Sequence, residues 1–188
     1  MTGSAIALPA AADCPRQDVS DRLACLFDAH HQRLFRLARR LAGSSEDARD
    51  LVQETFLRAA RAPGSVPDDR PNQEAWLVRV LVNISRDRWR RIAVHRQSVL
   101  AGRVTTGHAS GDPESALLAR SLVQQALAQL PPRRRAIVVM YELEGATIPA
   151  IARLLGVAPV TVRWHLSTGR REMARMLRGG LQEGREEP

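Results

Sequence analysis

The stretch from Thr147 to Leu166 has the residue types and spacing of a helix-turn-helix, chemistry that suits a DNA groove rather than covalent catalysis. Ala152, Gly156 and Val162 fall where a tight helix crossing needs a small residue, the turn tolerates Gly and the second helix buries an apolar anchor. Ile148, Ile151, Leu155, Val157 and Leu166 complete a small core, and Pro159 stands where a helix opens. Beyond it, Val162, Leu166, Gly169 and Met173 recur at helical spacing as an inward stripe, while Arg163, Ser167, Arg170 and Arg171 share another face. Such a helix can rest on its own domain and offer guanidinium groups to DNA. The plainer alternative is a solvated surface, since the chain has Arg but no Lys, the mark of a coding bias that inflates Arg.

Two other groups lie earlier in the chain. Asp47, Asp50 and Glu54 stand at i, i+3 and i+7 with Gln53 beside them, so a basic protein carries three carboxylates on one side of a helix. DNA repels that face and a basic protein partner does not; an ordinary solvated face is the alternative. The segment from Asn83 to Arg91 sets four Arg against one Asp with Trp89 among them, a mixture suited to stacking unpaired bases and holding their backbone. Its alternative is a basic helix end that complements the macrodipole.

These groups require helices to position them. Leu23, Leu26, Phe27, Leu34, Leu37, Ala38 and Leu41 mark a first helix ended by Gly43; Ser44 or Ser45 caps a second with Ala48, Leu51, Val52, Phe56 and Ala59 inward. Pro63 closes it, a loop rich in Gly and Pro follows to Pro71, and Asn72 introduces a third helix with Trp76, Leu77, Val80, Leu81 and Ile84 buried. After a stretch without apolar period, Asp112-Pro113 opens a helix that stops at Pro131-Pro132, and Ala136, Ile137, Met140 and Leu143 lead into the helix-turn-helix. No segment has strand period. The fold expected is therefore all-α: two small helical domains joined by a flexible linker, the second a helix-turn-helix domain. The boundaries read 1–18 for a disordered lead, 19–95 and 112–178 for the domains, 96–111 for the linker and 179–188 for a disordered tail.

Composition agrees with a polyanionic partner: 188 residues carry a net charge of +8, and the apolar runs are far shorter than a membrane span. No signal peptide is read at the start, so a cytoplasmic location without membrane insertion is expected. Cys14 and Cys25 lack any sign of export, which argues against a disulfide framework, and with His30 and His31 they match no standard zinc spacing. Neither a cofactor nor a metal is expected.

The run Asp47-Ala48-Arg49-Asp50-Leu51-Val52-Gln53-Glu54-Thr55-Phe56 resembles the core-polymerase-binding helix of extracytoplasmic-function (ECF) sigma factors. Ala75-Trp76-Leu77, Asn83 and Asp87 resemble that family's promoter-melting helix, and Leu130 to Arg135 with Ile151-Ala152 and Thr161-Val162-Arg163 resemble its minus-thirty-five domain. The resemblance runs from about Leu23 to Leu177, with departures at Ala150, Val160, Trp164, Thr168 and Gly169 that leave the minus-thirty-five sequence open. It implies a non-enzymatic protein, a monomer when free, whose partners are core RNA polymerase, promoter DNA and an anti-sigma factor. On that resemblance Asp47, Asp50, Gln53 and Glu54 dock on the polymerase. Arg79, Asn83, Arg86, Asp87, Trp89 and Arg90, with the loop from Ala62 to Pro71, engage the minus-ten element. Thr161, Arg163, Trp164, Ser167, Arg170 and Arg171 meet the minus-thirty-five element. A conventional helix-turn-helix regulator uses only the last group; a recombinase needs a convergent metal or nucleophile cluster, and a protein-only adaptor leaves the Arg face idle.

Overall fold

The structure, a computed structural model, describes residues 19–99 and 114–183, with side chains at 19–92 and 122–178. Among them are seven α-helices and no strand: α1 (Val19–Leu41), α2 (Ser45–Arg61), α3 (Arg70–Val99), α4 (Glu114–Gln129), α5 (Pro132–Val138), α6 (Ile148–Leu155) and α7 (Pro159–Glu183). A short 3₁₀ turn covers Pro63–Ser65, and a π-helical turn, Val139–Leu143, continues α5.

Local chemistry sets the helix ends. Ser44 caps α2, its hydroxyl accepting from the Asp47 N–H at 3.0 Å, and Asp69 accepts from the Asn72 N–H at 3.0 Å as α3 begins. Those Asn72 hydrogen bonds favour the charged carboxylate and hold Asp69 below its ordinary pKa. Thr147 caps α6, and Gly156 ends it at φ +64, a left-handed conformation that a side chain resists. Pro159 opens α7 as its spacing predicts.

Helices α1, α2 and α3 form one unit around Leu34, Leu37, Leu51, Leu77 and Leu81; α4 to α7 form a second around Leu127, Ile137, Met140, Ile151 and Val162. Each such side chain taken from water contributes about 2 kcal/mol. Four expectations change. Helix α3 runs to Val99, four residues into the expected linker, and residues 100–113 lie outside those described. Helix α7 passes through Gly179-Gly180 to Glu183 rather than yielding to a tail at 179; two helical Gly cost about 2 kcal/mol, but Arg178, Leu181, Gln182 and Glu183 around them are good helix formers. The lead to Asp18 and the residues from 184 onward are outside the description. Phe27, expected inward, is 42% exposed, lying at the rim of the buried face where it stacks on His31 at 4.4 Å and meets Phe56 at a tilt at 4.9 Å. Cys25 is disulfide-bonded, against the expectation that the cysteines form no bridge; Cys14 lies outside the described residues.

Gly169 shows why a helix keeps a poor helix former. A Cβ there would lie 2.7 Å from Val138 Cγ2 and 3.2 Å from Arg134 Cγ, so α5 and α7 cross at a distance that admits no side chain. Helix propensity favours Ala over Gly by about 1 kcal/mol, whereas forcing apart a packed crossing costs about 1–3 kcal/mol. Overlap wins, and Gly169→Ala is expected to lower the thermal midpoint of the chain; a raised midpoint would show that the crossing relaxes at no cost.

The two units also meet. Their buried residues form one continuous cluster, and α3 packs on α5 and α6 while α1 packs on α5. Arg135 crosses this junction: its guanidinium donates to the Leu41 carbonyl at the end of α1, and to the Ala128 and Leu130 carbonyls of its own unit, the last at 3.1 Å. Burial pushes Arg135 down to about 10, so it stays charged at neutral pH. Arg33 of α1 joins Glu74 of α3 and reaches Glu144 of the second unit at 3.4 Å.

Candidate nucleic-acid and protein interfaces

On α2 the acidic group divides by role. Asp50 and Gln53 are exposed and make no hydrogen bond or ion pair among the described residues. Asp47 is exposed but occupied, since its carboxylate accepts the Ser44 hydroxyl at 2.7 Å while its N–H completes the cap. Glu54 is shared between Arg58 at 3.2 Å and Arg88 of α3 at 3.5 Å, so it ties α2 to α3. Leu57, 43% exposed, follows Asp50 and Gln53 at i+7 and i+4. It extends their stripe with an apolar residue that the charge pattern did not single out; an unburied Leu at helical spacing from the carboxylates was the available signal.

The end of α3 is basic and mostly open. Trp89, Arg90 and Arg91 are exposed, Asn83, Arg86 and Asp87 are half-buried, and Trp76 packs against the core. Arg86 and Asp87 approach at 3.7 Å, both more than a third exposed, a weak pair in water. Arg79 stands apart from this group. It donates to the Ala75 carbonyl at 3.0 Å, and its guanidinium lies against Gly156, 3.3 Å from where a Cβ would be. The turn of the helix-turn-helix therefore covers one of the six residues expected to meet the minus-ten element, while the other five lie further along the helix. The loop before α3 is tied back by Arg22 to Asp68 at 2.9 Å.

Helix α7 places Arg163, Trp164, Ser167, Arg170 and Arg171 on the surface and turns Val162, Leu166 and Gly169 inward; Thr161 is half-buried in the first turn. Four residues outside the expected set hold this face. Glu142 accepts from Arg170 Nε at 2.6 Å and Tyr141 lies under the same guanidinium at 5.2 Å, so Arg170 is held along its stem. Arg134 donates to both oxygens of Glu172 at 2.6 Å and stacks over Trp164 at 5.5 Å. Nothing in Arg133-Arg134-Arg135 distinguishes the stacking residue from its neighbours, because three identical side chains are sorted by tertiary contacts alone. His165, edge-on to Trp164 at 4.8 Å, has its pKa lowered by burial and then by the Arg134 and Arg133 charges. It stays neutral beside a face already rich in cations. Among the described residues no group of His, Cys, Asp and Glu is arranged to hold a metal, and no helix is long and apolar enough to cross a membrane.

This arrangement offers an acidic and apolar stripe on α2, a basic aromatic end on α3 and an Arg-bearing exposed face on α7. Family models match both units: Sigma-70 region 2 over residues 26–94 and Sigma-70 region 4 over residues 120–173. ECF RNA polymerase sigma factor SigM of Mycobacterium tuberculosis is 38% identical over 85% of this chain and 78% of its own length. SigL of the same organism is 37% identical over 84% of this chain and 88% of its own. Among solved structures, CnrH bound to the cytosolic domain of CnrY matches 90% of this chain and 95% of its own at 26% identity and a TM-score of 0.59. RpoE bound to the anti-sigma factor NepR from Bartonella quintana covers 86% of this chain and 98% of its own with the same TM-score; at 21% identity it speaks for the fold alone.

Proposed function

The chain belongs to the ECF RNA polymerase sigma factors, and from that premise we propose that it docks on core polymerase through α2, reads a minus-thirty-five duplex with α7 and opens the minus-ten element with α3. The observation that carries this reading is that Asp50 and Gln53 are exposed and unpaired among the described residues, on the surface of a chain with net charge +8. A protein that only bound DNA gains nothing from a carboxylate face, and a basic protein partner does. The two units, 19–95 and 112–178 in the sequence, divide the work: the first serves polymerase and single strand, the second serves duplex.

Groove entry by α7 sets Arg163, Trp164 and Ser167 against base edges, with Thr161 and Arg171 nearer phosphate. Arg170, held at Nε by Glu142 and with Tyr141 against its guanidinium, presents the remaining edge of its fork to a phosphate or a guanine edge. No covalent step is asked of the protein, which works in the cytoplasm where polymerase and promoter are. RpoE from Bartonella quintana is bound by an anti-sigma factor, and a partner of that kind would silence this chain by covering the Arg face or the α2 stripe. Purified core with this chain is expected to yield run-off transcripts from promoters that core alone ignores. Failure to bind core would return the chain to the conventional helix-turn-helix regulators.

Melting is assigned to the open part of α3. Unstacking costs a few kcal/mol per base and is offset by capture of the base and its backbone. Asn83→Ala with Arg86→Ala is expected to reduce permanganate-reactive thymines in the open complex about tenfold, two lost hydrogen bonds at ~0.7 kcal/mol each. Core binding should stay near wild type. Normal melting by the double variant would move strand capture elsewhere on the chain.

A further inference from the structure

The first turns of α7 carry two large apolar side chains that face solvent: Val160 is 66% exposed and Trp164 is 56% exposed. They stand four residues apart and so lie one above the other, on the side of the helix that also bears Arg163, Ser167 and Arg171, all exposed. Val162, Leu166 and Gly169 point the opposite way and are buried. The indole is braced rather than loose. Arg134 stacks over it at 5.5 Å, Glu172 grips Arg134 through both carboxylate oxygens at 2.6 Å, and the His165 ring meets its edge at 4.8 Å. An aromatic plate fixed in this way loses little conformational entropy when something packs on it.

The occupant follows from the surroundings. The stripe of residues 160, 163, 164, 167 and 171 holds no acidic side chain and three basic or aromatic-cationic contacts, so its ligand is a polyanion with an apolar projection. In duplex DNA the apolar group of the major groove is the 5-methyl of thymine, and the first turns of a recognition helix are the part that reaches base edges. We propose that Trp164, with Val160 beside it, determines specificity by packing on thymine methyl groups in the minus-thirty-five duplex. The proposal rests on the reading of α7 as the groove helix and adds to it the base that this face selects. Arg163 and Arg171 supply attraction that does not depend on the thymine methyl; Trp164 and Val160 supply the preference for thymine at one or two positions on one strand.

Holoenzyme made from the full chain and core polymerase would first select duplexes from a library randomised across the minus-thirty-five region. Each thymine enriched by the wild type would then be replaced by deoxyuridine, which removes the methyl and leaves every hydrogen-bonding group. The wild type is expected to bind about fourfold more weakly at one or two such positions, the effect of returning one methyl to water. Trp164→Ala should be insensitive to the same replacement, Trp164→Phe should retain sensitivity, and Val160→Ser, which disturbs no packing, should lose it at the neighbouring base. Arg163→Ala should weaken thymine and uracil duplexes alike. If uracil costs the wild type nothing while Arg163→Ala still weakens binding, the thymine proposal is overturned and the groove reading stands. If Arg163→Ala has no effect either, both fall. Were Trp164→Ala to spare duplex binding and weaken association with core, the apolar pair would be a protein contact and the proposal would be wrong.

Discussion

Placing guanidinium groups at Asp50 and Gln53, as Asp50→Arg with Gln53→Arg, is expected to weaken association with core polymerase by at least about a hundredfold, while the chain keeps its fold. Both side chains are exposed and make no hydrogen bond or ion pair among the described residues, so the substitutions should shift stability by about 0.5 kcal/mol or less. A basic polymerase surface then faces two guanidinium groups in place of a carboxylate and an amide, and like-charge juxtaposition costs several kcal/mol where each tenfold of affinity is worth about 1.4. Glu54 makes a poorer probe despite its place in the same stripe. Replacing it by Arg brings three guanidinium groups together with Arg58 and Arg88, so any loss of binding would be mixed with a loss of the α2–α3 tie. Titration of labelled core with the double variant, beside a thermal melt, settles the matter. A variant that melts like the wild type and binds core as tightly would remove α2 from the polymerase interface.

What could be read before folding was whatever local chemistry decides. Ser44, Gly156 and Pro159 act through hydrogen bonds and dihedral angles within a few residues, and each stands where its type predicts. The inward stripe of α7 follows from period alone, and so do most core positions of α1, α2 and α3. Phe27 fits the same period and is nonetheless exposed, because period locates a face and not the edge where that face ends. Gly169 reads in sequence as a helix weakened by about 1 kcal/mol, and only the crossing with α5 gives the reason. The candidate contacts divide in the same manner. Residue type marks Asp50, Arg163 and Arg170 as chemistry-bearing, but the carboxylate that holds Arg170 lies 28 positions away, and the Arg that stacks on Trp164 is one of three identical neighbours. Junction contacts such as Arg79 against Gly156 join residues with no shared pattern at all.

Replacing Arg135 by Met is expected to destabilise the chain by about 3 kcal/mol and to expand it. The guanidinium is buried at a cost: desolvation pushes it down to about 10, ~3 kcal/mol of unfavourable burial that the variant recovers. Against this stand donations to three carbonyls, each worth about 1.5–3 kcal/mol when the donor is charged, and Met leaves all three acceptors without that donor. The second sum is the larger, which fixes the sign. The Leu41 carbonyl is the only one of the three on the first unit, so its loss falls on the junction, where Arg33 to Glu144 and Arg79 against Gly156 also contribute. That junction bears on promoter use. Minus-ten and minus-thirty-five elements are separated by about 85 Å of duplex at ~3.4 Å per base pair, and two units in direct contact do not span that distance. They must part before both elements are engaged, and the free energy that holds them together is subtracted from promoter binding. Arg135→Met should therefore show a lower thermal midpoint and a larger radius of gyration as the free chain. Its holoenzyme, once assembled below the melting range, should bind promoter at least as tightly as the wild type. A variant that stays as compact and as stable as the wild type would show that Arg135 does not hold the units together, and a compact variant with weakened promoter binding would place Arg135 on the DNA path instead.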